Sequence, residues 1–200
     1  MSEFDEKAST WDEQPDRVER VVKIANYLQA TIDLTGVKSA MEYGSGTGLL
    51  SFALKNVLPD ITLMDASVKM TDVALQKVKA QKVENLHPIH YDLMEQNLPD
   101  KRFDLIFTLL TLHHIDDTAS FLDRIFAVLN KGGRVILIDL DKEDGTFHAG
   151  EFHGHKGFEQ LKLQDQLEQA GLKAEHYSIC YSIEKEIWKA LRGVDANWNS

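Results

Sequence analysis

The sequence has little cysteine, little proline and no long hydrophobic run, and each shortage excludes a class of protein. Cys180 is the only cysteine, so it cannot form an intramolecular disulfide, and its neighbours predict a buried, unreactive thiol in a reducing compartment. Spanning a membrane takes about 18 or more consecutive apolar residues, and a signal peptide has an apolar core near the amino terminus. The sequence has neither pattern, so we expect a soluble cytoplasmic protein that does not associate with membranes.

Basic residues are scarce as well. The 22 lysines and arginines are outnumbered by 32 aspartates and glutamates, which gives a formal net charge of -10. A nucleic-acid-binding surface needs a basic face, so we expect a small-molecule ligand and no nucleic-acid partner. With 200 residues, 43% of them hydrophobic, the chain can fill one core. We predict a single domain over 1–200, present as a monomer or a homodimer.

Three glycines at alternate positions, Gly44, Gly46 and Gly48, follow a short apolar stretch. Residues 37–43 predict a strand, and apolar residues return at helical spacing over 49–57, so the glycines occupy the turn between the two. Glycine tolerates positive φ, and its missing side chain lets a ligand approach the backbone closely. The pattern therefore predicts either a ligand-binding loop or a glycine-rich turn without a ligand.

The spacing of the glycines disfavours a dinucleotide-binding fingerprint. That motif places a third glycine five positions after the first, whereas this chain has Leu49 and Ser51 at the two positions where it could stand. A nicotinamide-dependent oxidoreductase is therefore not the favoured hypothesis.

Asp65 gives the second indication of a ligand, because it ends the apolar run 61–64 about twenty residues beyond the glycine loop. A carboxylate at the tip of the second strand can accept hydrogen bonds from both hydroxyls of a ribose. An aspartate after a strand is also a common turn former or helix cap. Its pairing with the glycine loop favours the nucleoside interpretation.

The G-x-G-x-G loop with Glu42 two residues ahead resembles the first motif of the class I S-adenosylmethionine-dependent methyltransferases. The opening string FDEKASTWD resembles the start of their type 11, ubiquinone and menaquinone biosynthesis, branch. The resemblance implies S-adenosylmethionine (SAM) as cofactor and methyl transfer to a small-molecule acceptor. A non-catalytic SAM-binding sensor or partner subunit is the alternative. Residues 103–116 lack the D/N-P-P-aromatic string of methyltransferases that act on nucleic-acid bases.

The resemblance also implies positions that bind the cofactor. The glycine loop lies against its methionine end, Asp65 takes the ribose, and Asp92 with Leu93 holds the adenine, although Asp92 could instead be a turn at a strand end. The implied cofactor-binding set is Glu42, Gly44, Ser45, Gly46, Gly48, Asp65, Ala66, Met70, Asp92, Leu93 and Thr108.

Methyl transfer from a sulfonium requires mainly alignment and exclusion of water, but the acceptor can need a proton removed. A histidine is well suited to that task at neutral pH. His113 and His114 follow the apolar run 103–110, and we predict His113 as the catalytic base and His114 as a substrate or lid residue. The alternative for His113 is that it only orients its loop.

Two further segments are predicted to cover the site. The resemblance makes Trp11, in the amino-terminal arm and helix 1–33, a lid residue, although it could equally pack on the core. Residues 141–157 hold His148, His153 and His155 and predict a cap loop with His148 and His153 at the substrate. Three histidines could also bind a metal, but we predict no metal site.

Strand and helix patterns alternate along the chain and predict a doubly wound, Rossmann-like sheet with helices on both faces. We expect seven mostly parallel strands with the last antiparallel. Pro88 places the third strand at or near an edge, and the strand 103–110 is central. Residues 131–133 should stop a helix, and the later elements should be a helix over 158–170 and strands over 174–183 and 186–191.

Overall fold

In a computed structural model of the chain, five parallel strands form one sheet in the order β3-β2-β1-β4-β5. The structure describes residues 3–144, 147 and 152–182. The chain runs from β1 outward to β3 and then returns to the other side of β1, so the strand order reverses between β1 and β4. The strands are β1 (Ala40–Tyr43), β2 (Ile61–Asp65), β3 (Leu86–His90), β4 (Phe103–Leu109) and β5 (Leu129–Ile138).

Helices cover both faces of this sheet. One buried cluster joins α2 and α3 to one face through residues such as Leu105 and Phe107 of β4, and a second joins α5 to the opposite face through Ile106. The side chains of β4 are therefore apolar on both faces of the sheet, as expected for a parallel strand that is covered on both sides. The helices are α1 (Glu3–Lys7), α2 (Pro15–Thr31), α3 (Leu49–Leu54), α4 (Val68–Gln81), α5 (Thr118–Ala127) and α6 (Gln160–Gln169), with 3-10 turns at Ala8–Glu13 and Leu112–His114.

The predicted α/β class and the central elements are confirmed. β3 lies at the edge of the described sheet, where Pro88 pairs with Leu63 and its lack of an N–H costs no ladder bond to an outer neighbour. β4 lies between β1 and β5. None of the helices among the described residues is long and apolar enough to cross a membrane.

The boundary between α5 and β5 was predicted wrongly. Residues 131–133 lie within β5, and the helix has already ended at Ala127. The pairing jumps from Phe103 with Leu129 to Leu105 with Arg134, so β5 carries extra residues there. Gly132 adopts a φ of 79°. The glycines therefore form a bulge in the strand and do not stop the helix before it.

Among the described residues the sheet has five strands, and the two further strands that we predicted, the last of them antiparallel, are not among these five. Residues 174–182 lie in the described part of the chain but form no strand. Tyr27 and Ser178 share a hydrogen bond of 2.5 Å, and Cys180 is half-buried against the first cluster, where burial raises the pKa of its thiol. The strand predicted over 186–191 lies outside the described residues.

Candidate active site

The carboxyl ends of β1 and β4 meet where the strand order reverses, which is where open α/β folds bind ligands. We call this the carboxyl edge. The residues 44–48 and Asp65 form its loop side. The residues 112–115, Asp139 and 152–158 form its histidine side.

The glycine loop follows β1 directly, and its three glycines have φ values of 68°, 54° and 82°. A Cβ on Gly44 would lie 2.3 Å from the side chain of Thr111, and one on Gly48 would lie 2.7 Å from that of Leu63. A Cβ on Gly46 would meet no atom closer than 3.8 Å. The outer two glycines are therefore required by packing, while a Cβ on the middle one would make only ordinary van der Waals contacts.

Asp65 links the glycine loop to the start of α4. Its Oδ2 accepts a 2.6 Å hydrogen bond from the Gly46 amide, and its Oδ1 accepts a 2.8 Å bond from the Ser67 amide. Burial raises the pKa of the Asp65 carboxyl, these two amides oppose the rise, and the carboxylate of Asp5 adds to it. The carboxylate therefore sits at the loop, and it also fulfils the turn-forming role that sequence reasoning left open.

Glu42 lies behind the loop, in the interior. It is 2% exposed and accepts hydrogen bonds from the hydroxyl and the amide of Ser51, the latter at 3.1 Å. Burial raises the pKa of Glu42 to about 8. The structure thus places this predicted cofactor residue at the start of α3, where it satisfies an amide that the helix leaves unpaired.

The predicted adenine residues follow β3. Asp92 is half-buried, and its Oδ1 accepts bonds from the Met94 amide at 2.8 Å and the Tyr43 hydroxyl at 3.4 Å. The side chain of Leu93 is fully buried in the second cluster, and its carbonyl accepts from Arg124. Sequence reasoning missed Tyr43, whose pKa is raised by burial and by Asp92.

Four other predicted cofactor residues occupy different settings. Thr108 is fully buried inside the protein, and its hydroxyl has no hydrogen-bond partner. Met70 is buried beneath the loop, with its sulfur 3.9 Å from the position of a Cβ on Gly46. Ser45 is buried and donates its amide to the Met64 carbonyl at 3.1 Å. Ala66 is exposed.

The amino-terminal arm closes the loop side through two aspartates that sequence reasoning did not select. Asp5 accepts a 2.6 Å bond from the hydroxyl of Ser67. Asp12 accepts from the Thr47 hydroxyl and from Lys77, the latter at 2.6 Å, and the same ammonium donates to the Thr47 carbonyl at 2.8 Å. The arm is therefore tied to both the glycine loop and α4.

Trp11, the predicted lid residue, lies beside Gly46 of the glycine loop. Its Nε1 is the atom nearest to the position of a Cβ on Gly46, at 3.8 Å. The guanidinium of Arg17 lies 3.6 Å from the centre of the indole ring, where a cation–π interaction helps to fix the position of the ring. Phe4 packs edge-on against both Trp11 and His114, with ring centres 6.0 and 5.1 Å apart.

His113 and Asp139 form a buried pair on the histidine side. Nδ1 of His113 lies 2.6 Å from Oδ1 of Asp139, and the two side chains are 1% and 4% exposed. The carboxylate also accepts from the backbone amides of His113, at 3.3 Å, and of Leu140, at 2.8 Å. Asp139 directly follows β5, and no pattern in the sequence connects it to His113.

The other four histidines named in the sequence analysis have different settings. His114 is exposed, and its ring lies 5.3 Å from that of Phe152. His153 is exposed, whereas His155 donates its amide to the His113 carbonyl at 2.8 Å and places Nε2 3.0 Å from the Ile115 carbonyl. His148 lies outside the described residues. Among the residues that are described, no group of three or more His, Cys, Asp or Glu is arranged to hold a metal ion.

The sequence is similar to those of known methyltransferases. The family model for a methyltransferase domain, type 11, matches residues 41–137. An uncharacterized methyltransferase of Mycobacterium tuberculosis is 29% identical over 111 residues, which are 56% of this chain and 54% of the relative. The ubiquinone/menaquinone biosynthesis C-methyltransferase of Vibrio campbellii is 29% identical over 135 residues, which cover 62% of this chain and 52% of that enzyme.

A solved structure shares the fold. A chain of the complex between the Haloferax volcanii Trm112 methyltransferase activator and a methyltransferase aligns with a TM-score of 0.71 at 18% identity, over 88% of this chain and 79% of that chain. This chain spans about half the length of the curated relatives it matches. The family match over residues 41–137 and the relatives support a class I S-adenosylmethionine-dependent methyltransferase domain of the type 11 branch, and the solved structure shares its fold.

Proposed function

We propose that the protein transfers a methyl group from SAM to a small-molecule acceptor at the carboxyl edge of the sheet. The observation that carries the proposal is the backbone of Gly46 beside the carboxylate of Asp65, where the amide of Gly46 donates to Oδ2 and a Cβ would meet no atom closer than 3.8 Å. A side-chain-free backbone next to a carboxylate fits a nucleoside that carries an amino-acid end. The whole chain acts as one domain in this proposal, as a cytoplasmic monomer or homodimer.

The residues at the carboxyl edge carry the chemical groups that the parts of the cofactor require. Asp65 has two carboxylate oxygens to accept from ribose hydroxyls, and Gly46 leaves room for the methionine end. Asp92 offers a half-buried carboxylate for the adenine amino group, one strand further out. Leu93 would contribute through its backbone, because its side chain is buried in the core. Glu42 would act indirectly, by fixing α3 at the end of the loop.

When bound, SAM supplies an electrophilic methyl group on a sulfonium. The chain's own task is to align the acceptor, to exclude water and to take a proton where the acceptor carries one. Phe4 of the arm and Phe152 beyond β5 pack edge-on against the ring of His114, and Trp11 packs on Phe4. His113 is the base in this proposal.

The acidic charge supports a small-molecule acceptor and argues against nucleic acid. A net charge of -10 repels a phosphate backbone, whose binding depends on basic side chains. The relatives also include an enzyme named for a ubiquinone/menaquinone C-methyltransferase reaction. We therefore propose a metabolite as the acceptor.

The test is titration calorimetry with S-adenosylhomocysteine (SAH) on the wild type and on Asp65→Ala. We expect the wild type to bind and the variant to lose at least about 30-fold in affinity, since a carboxylate that accepts from two hydroxyls contributes about 2 kcal/mol or more. Asp60→Ala is the matched control, because Asp60 lies at the opposite end of β2 and pairs with Lys101.

Two results would contradict the proposal. One is a wild-type protein that does not bind SAH. The other is an Asp65→Ala protein that is folded and binds as tightly as the Asp60→Ala control. A panel of metabolites with radiolabelled SAM then tests transfer itself.

A further inference from the structure

A groove between α2, α3 and α4, which we call the helix groove, lies apart from the carboxyl edge. Its volume is about 310 Å³, at the lower end of the range for small-molecule sites. None of the residues that line it is among those that form the carboxyl edge. We propose that the helix groove is a second ligand site, which binds an aliphatic monocarboxylate with its chain in the groove and its carboxylate at Lys55.

The floor of the helix groove is apolar. Two helices supply it, and its apolar side chains are Val18, Val21 and Val22 of α2 and Leu49, Phe52 and Ala53 of α3. Val21 is buried in the first cluster, whereas Val22 is 48% exposed and Phe52 is half-buried. An aliphatic chain in the groove would remove this apolar surface from water, which is the main source of favourable free energy for such a ligand.

The charges at the rim favour an anion. Lys77 already donates to the carboxylate of Asp12 at 2.6 Å and to the Thr47 carbonyl at 2.8 Å. Lys55 donates to the side-chain oxygen of Gln81 at 3.3 Å, and in the described part of the chain no ion pair includes Lys55. Two ammonium groups and one carboxylate leave the groove locally positive in a chain with a net charge of -10.

Both ammonium groups are held close to the apolar floor. Nζ of Lys55 and Nζ of Lys77 lie 5.3 and 4.8 Å from the centre of the same Phe52 ring, where cation–π attraction favours them. The carboxylate of Asp12 compensates Lys77 and repels a second anion there, so the head of the ligand belongs at Lys55. A neutral chain would leave Lys55 uncompensated, and a small polar anion would leave the floor exposed to water.

The first experiment compares three probes by titration calorimetry on the full chain. Octanoate has both the chain and the carboxylate, octanol has the chain alone, and acetate has the carboxylate alone. We expect octanoate to bind the wild type with a Kd below about 1 mM and more tightly than either of the other two. No SAM or SAH is added, so the measurement does not depend on the proposed function.

The carboxylate is located with Lys55→Met, which removes the charge and keeps an unbranched side chain. We expect the variant to bind octanoate about fivefold more weakly than the wild type, the upper end for an ion pair in partial contact with water. Its affinity for octanol should not change. Lys79→Met is the matched control, because Lys79 is an exposed lysine of α4 that does not line the groove.

The chain is located with Val22→Asn, a change that the fold tolerates because Val22 is half-exposed on α2. We expect octanoate and octanol to bind this variant about threefold more weakly, and by the same factor, since only the apolar contact is lost. Val57→Asn is the control, because Val57 is 41% exposed and lies outside the groove.

The inference is overturned if the wild type does not bind octanoate with a Kd below about 1 mM, or if octanol or acetate binds as tightly. It is also overturned if Lys55→Met binds octanoate as tightly as Lys79→Met does, or if Val22→Asn binds it as tightly as Val57→Asn does. SAH binding is measured separately, so a failure of the proposed function leaves each of these results intact.

Discussion

The two sides of the carboxyl edge are built by different means. The loop side is assembled from residues close together in the chain, with backbone amides of Gly46 and Ser67 meeting the carboxylate of Asp65. The histidine side is assembled from three distant segments, in which a carboxylate after β5 and an amide at 155 converge on His113. In the proposed function, cofactor binding therefore depends mainly on the glycine loop and Asp65, and acceptor chemistry depends on contacts between distant segments.

This difference predicts that the glycines of the loop are not equivalent, and the largest effect should appear there. We expect Gly44→Ala to destabilise the protein by about 3 kcal/mol, because the new methyl group clashes with Thr111 and the backbone has positive φ. Gly46→Ala should cost about 1 kcal/mol in stability but weaken SAH binding at least about 10-fold. Urea unfolding and calorimetry measure the two quantities. Equal stability losses in the two variants would contradict the comparison.

The second prediction concerns Glu42, which supports the loop from behind. Its pKa is raised to about 8 in the folded protein from an ordinary value of 4.5, so the stability associated with its protonated form is full below pH 4.5 and is lost as the pH rises towards 8. Glu42→Gln mimics the protonated form. We expect the variant to gain about 1 to 3 kcal/mol relative to the wild type between pH 5 and pH 8.

Urea unfolding of both proteins at the two pH values gives the difference directly. A constant gap between the wild type and Glu42→Gln across this range would show that Glu42 titrates normally. Glu19→Gln serves as the control, since Glu19 forms an exposed pair with Lys23 on α2.

The third prediction tests whether the histidine side can be changed without affecting cofactor binding at the loop side. Gly154→Ala should place a methyl group against the His113 carbonyl and the ring of Phe152 and so displace the turn that carries His113. We expect kcat to fall about 10-fold, or about 1.4 kcal/mol, with no change in the Kd for SAH. Gly36→Ala is a control for backbone effects, because a Cβ there meets no atom within 4 Å. A loss of SAH affinity in Gly154→Ala would show that the sides are not independent.

The smallest effect is expected at the tie between the arm and α4. The Asp12–Lys77 pair is partly exposed, with side chains 31% and 21% accessible, so solvent weakens it and we expect each of Asp12→Asn and Lys77→Met to lower SAH affinity about threefold to fivefold. A double-mutant cycle should give a coupling of about 0.5 kcal/mol or more. Additive losses would mean that the two residues act separately.

The same contrast explains how far sequence reasoning reached. The loop glycines and Asp65 were found because their signals are local and periodic, and the sheet follows from alternating strand and helix patterns. Asp12 with Lys77 and His113 with Asp139 could not be found, because only folding brings these partners together. β4 is apolar on both faces, so the sequence carries no signal that Thr108 faces the interior.

The position of Trp11 has a kinetic consequence. Its indole lies over Gly46, and Asp5 and Asp12 fasten the segment on either side of it. In the proposed function, a cofactor bound at the loop would leave only after these hydrogen bonds of the arm have broken. Under that proposal, we expect the residence time of SAH, the spent form of the cofactor, to depend on the rate at which the arm opens. Rapid-dilution release measurements on a chain that lacks residues 1–13 should therefore show faster dissociation.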